Sequence, residues 1–193
     1  MKKASFRDKQ LIIDILYDAF ITETFPNSIN FVIKQDHNRS KRLYSLMEYQ
    51  YKMALRFGEI FMSDDEQSCI LFIDPEKKKI TFKTLIWNTI LVMRCIGFKN
   101  VLKVIKREKI LRANHPEFSF LHLWIMGTKS TYKGKGIGAK LLVEVLKYYG
   151  NIPIYLETTT TSNLRFYQKT GFEIVNETHI LGYPLYFLLK PVN

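Results

Sequence analysis

Trp124–Ala139, with the sequence WIMGTKSTYKGKGIGA, is the stretch that decides the fold. It begins as an apolar strand, passes through a short turn, and reaches Gly134, Gly136 and Gly138 within five residues. Apolar residues then recur every three or four positions up to Tyr149, which predicts an amphipathic helix. The glycines therefore lie at a helix N-terminus, where free N–H groups and the helix dipole favour a phosphate.

Common nucleotide-binding glycine loops do not fit this spacing. A P-loop requires G-x-x-x-x-G-K-[ST], but Lys129 occupies its first glycine position and Gly136 its hydroxyl position. A dinucleotide-binding loop requires G-x-G-x-x-G, whereas this chain has G-x-G-x-G and lacks the repeated strand–helix units of such a domain. A kinase loop fails on the same spacing.

A second motif occupies residues 152–172. Alternating apolar residues predict a strand that places Tyr155 and Glu157 on the face opposite to those apolar residues. A short helix is predicted next, ending at a glycine. Asn163 and Tyr167 are four residues apart on that helix, so they share one of its faces.

Together the two motifs resemble the GNAT superfamily of N-acetyltransferases. The glycine run is similar to that family's coenzyme A loop, [Q/R]-x-x-G-x-[G/A], with Gly136 and Gly138 in the two small positions. Lys133 stands where the family usually has Arg or Gln. The second motif is similar to the family's closing N-x-x-x-Y-x-x-x-G-F signature. The resemblance covers residues 118–190 well and the first hundred residues only in outline.

The resemblance implies the fold. We expect an α/β (α+β) GNAT fold in one domain over residues 1–193, with a mixed, mostly antiparallel central sheet of about six or seven strands. Helices would flank the sheet, and the sheet would splay at the cofactor-binding strand. The C-terminal strands are similar to those of puromycin N-acetyltransferase-like enzymes. Gly127-Thr128-Lys129 departs from the family, which commonly has a Val-x-Pro turn there, so the geometry of this strand exit is left open.

The resemblance also implies transfer of an acetyl group from acetyl-CoA, a co-substrate, to a primary amine of a small molecule or peptide by direct attack in a ternary complex. Tyr167 is the expected general acid toward the departing thiolate. The general base is left open between Glu157, His122 and neither. No metal is expected. The residues expected to bind the cofactor are Ile125, Met126, Gly127, Lys133, Gly134, Lys135, Gly136, Ile137, Gly138, Ala139, Asn163 and Tyr167.

Composition bounds the partners. The net charge of +11, from 29 basic and 18 acidic residues, is compatible with the anionic cofactor and also with nucleic acid. We expect no membrane partner, disfavour nucleic acid, and expect a monomer or homodimer. Cys69 and Cys95 form neither a disulfide framework nor a zinc spacing, which favours a cytoplasmic protein with reduced thiols. The alternative function is a catalytically inactive acetyl-CoA-binding or nucleic-acid-binding regulatory module.

The first half of the chain has fewer signals. Residues 40–57 show the periodicity of an amphipathic helix. Residues 84–96 and 99–114 read as two further helices separated by Gly97. We expect the apolar first helix to be buried. The second is dominated by lysine and arginine, which makes it the best candidate for contact with nucleic acid, although a solvated helix face explains it better.

Overall fold

The computed structural model describes residues 1–192 as one seven-stranded sheet with helices on both faces. The strands are β1 (Lys2–Lys3), β2 (Gly58–Met62), β3 (Ser68–Ile73), β4 (Leu121–Thr128), β5 (Ile154–Thr158), β6 (Glu173–Thr178) and β7 (Leu185–Lys190). The α-helices are α1 (Lys9–Ile21), α2 (Ser28–Val32), α3 (Arg39–Phe57), α4 (Phe82–Leu91), α5 (Val101–Ala113), α6 (Ile137–Tyr149) and α7 (Thr161–Lys169). The strand order is β1-β2-β3-β4-β5-β7-β6, and β4–β5 is the one parallel pair among these strands. The expected mixed, mostly antiparallel sheet is confirmed.

Two apolar layers cover the sheet. On one face, α1 and α3 pack through a cluster that includes Leu16, Met47 and Ile125. On the other face, α6 buries its predicted stripe, with Leu142 and Val145 fully inaccessible, against β3, β4 and β5. Removing these side chains from water supplies the main driving force for docking the helices. β4 and β5 therefore lie in the middle of the molecule, with helices on both sides.

β4 and β5 separate along their length. Their pairing consists of Leu121 with Ile154 and His122 with Tyr155, and it stops there although both strands continue. We call the resulting gap between the two strands the splay. The opposite edge of β4, which pairs with β3, contains a bulge at Trp124. Leu71 of β3 pairs with Ile125, while the next residue of β3 pairs with Leu123. The predicted splay at the cofactor-binding strand is therefore present.

The segment between β3 and β4 corrects one prediction. The two predicted helices are present as α4, extended by a π-helical turn over Val92–Ile96, and α5, with Gly97 between them at φ +76°. The expectation that the first helix is buried is wrong, since Phe82, Leu85 and other apolar side chains on it are exposed. Only the faces that meet α3 and the start of α5 are covered, so an apolar sequence did not lead to a buried helix.

Within residues 1–192, no single helix is long and apolar enough to cross a membrane; the two helical segments Phe82–Ile96 and Phe98–Ala113 meet that test only as a pair bent by 102°.

Candidate active site

The glycine loop, Lys133–Gly138, leads directly into α6. Gly134 and Gly136 adopt φ values of +81° and +80°, and a Cβ at either position would meet no atom within 4 Å. They are glycines for their backbone conformation, which L side chains rarely adopt. The first helical bond runs from the N–H of Lys140 to the carbonyl of Gly136, at 2.9 Å. The N–H groups of the preceding first turn are free of intrahelical partners and open to an anion.

Gly138 and Gly127 are small for a different reason. A Cβ on Gly138 would lie 2.7 Å from Cε of Met126 and 2.9 Å from Oγ1 of Thr128, so this glycine lets α6 approach the end of β4. A Cβ on Gly127 would lie 3.0 Å from Cδ2 of Leu16 on α1. The close packing of α1 on β4 thus accounts for the glycine at the point where the sequence departs from the usual strand exit.

Both lysines of the glycine loop contact another side chain through their ammonium groups. Nζ of Lys133 forms a salt bridge with Oε1 of Glu23 at 2.9 Å, although the lysine side chain is largely exposed. Nζ of Lys135 lies 4.7 Å from the ring centroid of Tyr132. An exposed pair of this kind contributes little stability and can exchange partners. Lys133 and Lys135 therefore stay candidates for contact with an anion, beside the free backbone N–H groups.

The splay leaves a row of backbone groups available. Beyond His122, the edge of β4 that faces β5 has no strand partner within the described residues. Ile125 to Gly127 lie on this stretch, between the bulge and the glycine loop. Because an unpaired strand edge offers N–H and C=O groups to an extended ligand, this edge can hold a cofactor arm that runs from the glycine loop into the sheet.

His122 and Glu157 form a buried pair beside the closed end of the splay. Nε2 of His122 lies 2.6 Å from Oε2 of Glu157, and both side chains are about nine-tenths buried. Burial alone would raise the pKa of Glu157, but the charge and hydrogen bond of His122, together with the nearby His115, hold that pKa below its usual value. Glu157 is therefore ionised at neutral pH. The sequence offered these two residues as alternative bases, and the structure brings them together as one hydrogen-bonded unit.

Two further side chains complete this cluster. Nε2 of His115, which follows α5, lies 3.7 Å from Oε1 of Glu157, and that oxygen has no hydrogen-bond partner among residues 1–192. The hydroxyl of Tyr155 is likewise buried without a partner, and desolvation followed by the charge of Glu157 raises its pKa. Three potential metal-ligand atoms lie within 4.8 Å of one another, one each from His115, His122 and Glu157. These three side chains could therefore hold a divalent cation.

Tyr167 and Asn163 approach from the other side of the sheet. Tyr167 packs among Phe166, Phe172 and the α6-side core, and burial raises its pKa to about 12. Asn163 is exposed on the first turn of α7. Tyr167 can therefore donate a proton at neutral pH, while the pair of His122 and Glu157 lies on the opposite face.

Residues 88–174 match the family model described as the acetyltransferase (GNAT) domain. This match assigns the segment over residues 88–174 to a GNAT acetyltransferase domain. The matched region runs from α4 to β6 and includes β4, the glycine loop, β5 and α7. A chain with this domain and this fold is an acyltransferase.

Solved GNAT structures share the fold over the whole chain. One is a structure from Corynebacterium glutamicum described as histone acetyltransferase HPA2 and related acetyltransferase. It is 24% identical to this chain with a TM-score of 0.73, and the alignment covers 100% of this chain and 95% of that one. Arylalkylamine N-acetyltransferase 2 from Aedes aegypti is 15% identical with a TM-score of 0.62, and the alignment covers 100% of this chain and 98% of that one. A chain of the NatC complex bound to Gag peptide and CoA is 14% identical with a TM-score of 0.50, and the alignment covers 100% of this chain and 97% of that one.

Sequence reasoning missed part of the site. His115, which directly follows the predicted helix over residues 99–114, was not proposed as a site residue, because it lies seven positions before His122 and no local period links the two. The bulge at Trp124 was also unforeseen, since nothing in an apolar run marks the extra residue. Tyr49 of α3 meets that tryptophan edge to face, with ring centroids 6.2 Å apart, and its hydroxyl donates to Oδ1 of Asn88 at 2.9 Å. These contacts depend on how α3, α4 and β4 pack.

A separate cavity of about 680 Å³ lies at the opposite end of β4 and β5, between β2, β3 and the end of α6. Glu59, Phe72 and Tyr149 are among the residues that line it. It is on the α6 face near the start of β4, whereas His122 and Glu157 project from the other face. We therefore place the candidate active site at the splay and not in this cavity.

Proposed function

We propose that this GNAT acetyltransferase domain transfers an acetyl group from acetyl-CoA to a primary amine in a ternary complex. The observation that carries the proposal is the buried pair of His122 and Glu157 beside the splay. A histidine with an ionised carboxylate partner is suited to remove a proton from an ammonium group near neutral pH. The expected acceptor is uncharged only after such a step, because an alkylammonium has a pKa near that of lysine, about 10.4.

The roles of the two residues follow from their hydrogen bond. Since Glu157 is ionised, its Oε2 accepts from the Nε2–H of His122, which leaves Nδ1 as the ring nitrogen with a free lone pair. His122 would take the amine proton on Nδ1, and Glu157 would stabilise the resulting imidazolium. This division of work resembles the orienting role of a carboxylate beside a catalytic histidine. Glu157 therefore acts through His122 and not as the direct base.

The glycine loop and the splay fit the cofactor. The backbone of Gly134 and Gly136 leaves room for a phosphate, and charge-assisted bonds from free N–H groups contribute roughly 1.5–3 kcal/mol each. The unpaired edge at Ile125 to Gly127 would pair with the pantetheine arm. Bound acetyl-CoA supplies an activated thioester. An unpaired N–H of β4 near the bulge would stabilise the oxyanion, and the uncharged hydroxyl of Tyr167 would protonate the leaving sulfur.

The acceptor side of the site favours a hydrophobic amine. Trp124 projects from the same face of β4 as His122, and Tyr49 packs against it. An aromatic pair beside an ionised carboxylate offers both apolar contact and cation attraction to an arylalkylamine. One of the similar structures is an arylalkylamine N-acetyltransferase, which supports this class. Membership of the puromycin N-acetyltransferase-like group stays a prediction.

The test has two stages. Calorimetric titration with acetyl-CoA, using NADH and ATP as controls, should show micromolar binding of acetyl-CoA alone. Release of free thiol is then measured with 2-phenylethylamine, tryptamine, spermidine and a short peptide. We expect the aromatic amines to give the highest kcat/KM. Binding of acetyl-CoA without thiol release from any acceptor would favour an inactive module, and no binding at all would refute the cofactor assignment.

A further inference from the structure

The net charge of the protein is concentrated in one segment. Residues 77–112, which contain α4 and α5, hold eleven basic residues and the single acid Glu108, for a net charge of +10. The remaining 157 residues hold 18 basic and 17 acidic residues and are nearly neutral. A charge of +11 is therefore not a general property of this surface but belongs to the α4–α5 segment.

The same segment exposes apolar side chains. The described chain has nineteen exposed large hydrophobic side chains, and eight of them lie in a stretch of 26 residues inside this segment. They are Ile80, Phe82, Leu85, Ile86, Met93, Phe98, Leu102 and Ile105. Isolated exposed hydrophobic residues are normal on a protein surface, but a contiguous group marks an interaction site.

The arrangement on α5 is regular. Phe98, Leu102 and Ile105 are spaced four and three residues apart, so they lie on one side of the turn and helix, and Phe98 and Leu102 are 77% and 80% exposed. We call these three the outer stripe. The flanking ammonium groups are exposed and make no salt bridge within residues 1–192; they belong to Lys99, Lys106 and Lys109.

The outer stripe is not the face that α5 uses for folding. Val101 and Val104 pack against the core beneath α1 and α3, and Leu111 is buried in the cluster that contains Tyr155. The helix therefore already has an inner face buried in the protein. The outer stripe adds exposed hydrophobic area for which residues 1–192 provide no partner.

We propose that the α4–α5 segment docks on the surface of an anionic lipid bilayer, with the outer stripe inserted at the headgroup level. This departs from the expectation of no membrane partner. Exposed apolar residues flanked by lysines are the composition that binds such an interface, because the ammonium groups meet anionic headgroups while their stems lie along apolar surface.

Two other occupants fit less well. A second copy of this chain, meeting through the same surface, would bring two charges of +10 together. Nucleic acid would satisfy the lysines through its phosphates, but it would leave Phe98, Leu102 and Ile105 without an apolar environment. The combination of charge and hydrophobic side chains therefore favours lipid.

The test is flotation of the full-length protein with vesicles of phosphatidylcholine alone or with 30% phosphatidylserine, at fixed salt. We expect binding to the anionic vesicles. Phe98→Ser with Leu102→Ser should reduce that binding at least tenfold. Lys99→Gln with Lys106→Gln should also reduce it, by roughly fivefold for each lysine. The matched control is Val175→Ser with Ile180→Ser, which removes two exposed apolar side chains near the β6 edge and should bind as wild type.

Unchanged acetyl-CoA affinity and thermal unfolding would show that each variant is folded. Failure of the wild type to float with anionic vesicles would overturn the proposal, whether the protein instead bound a 20-base-pair duplex or formed a dimer through this surface. Equal flotation of the wild type and the Phe98→Ser, Leu102→Ser variant would also overturn it, because attraction by charge alone does not require the outer stripe.

Discussion

The glycine loop and the α4–α5 segment border the candidate site from different directions. The structure of the glycine loop could be predicted from the sequence, whereas the burial of the α4–α5 segment could not. In the glycine loop, function depends on the backbone, and the positive φ values of Gly134 and Gly136 require a residue type that the sequence displays. In the α4–α5 segment, the same apolar residues could have been buried or exposed. A region shaped by local backbone geometry is therefore predictable, whereas one shaped by distant packing is not.

The largest expected effect tests the glycine loop directly. Gly136→Asp should weaken acetyl-CoA binding at least about 100-fold, because a carboxylate would stand where backbone N–H groups receive the pyrophosphate and two charge-assisted bonds of roughly 1.5–3 kcal/mol would be lost. Calorimetric titration measures the change. Gly182→Asp is the matched control, since Gly182 has φ +84° and equally open surroundings but lies in the turn before β7. Equal affinity in both variants would contradict the loop assignment.

The second prediction moves to the acceptor side of the splay. Glu157→Gln keeps the shape of the side chain but removes the charge that orients His122 and stabilises its protonated form. We expect kcat/KM to fall by about 10²–10⁴-fold, the range of general acid–base catalysis, with acetyl-CoA affinity within twofold of wild type. The variant should also gain activity as pH rises, because more of the amine is then already deprotonated.

An exposed pair of the same kind provides the control for this prediction. Nε2 of His179 lies 2.9 Å from Oε1 of Glu177 at the exposed end of β6. Glu177→Gln therefore breaks a histidine–glutamate contact away from the splay and should leave kcat/KM unchanged. If Glu157→Gln lowered kcat/KM no more than Glu177→Gln, the buried pair would have no part in proton transfer.

Tyr167 tests the opposite face of the sheet and should give a smaller effect. Tyr167→Phe is expected to lower kcat by about 10- to 100-fold, toward the low end for a general acid, because a thiol of pKa near 8.5 can leave partly without a proton. Acetyl-CoA affinity should change little. Tyr186→Phe, another buried tyrosine in the same apolar cluster, is the control. Wild-type turnover in Tyr167→Phe would remove that hydroxyl from the mechanism.

The fold and part of the candidate site could be predicted from the sequence. The periods of α6 and β5 and the glycine loop are local patterns, so the order of elements and the splayed sheet could be anticipated. The pairing of His122 with Glu157 could not, because it depends on the parallel register of β4 and β5. His115 and Trp124 were missed for the same reason: a residue after a helix and a bulge within a strand acquire meaning only when distant elements meet.

The smallest expected effect concerns the burial that sequence reasoning misjudged. Leu85→Ala on α4, where the side chain is 56% exposed, should change the free energy of unfolding by less than about 0.5 kcal/mol, as is usual for surface substitutions. Leu142→Ala on α6, where the side chain is fully buried, should cost about 2–5 kcal/mol, because the substitution leaves a cavity. Chemical denaturation of the two variants and the wild type measures both values. A loss for Leu85→Ala close to that for Leu142→Ala would mean that α4 is packed in solution, and it would then restore the original expectation of a buried helix.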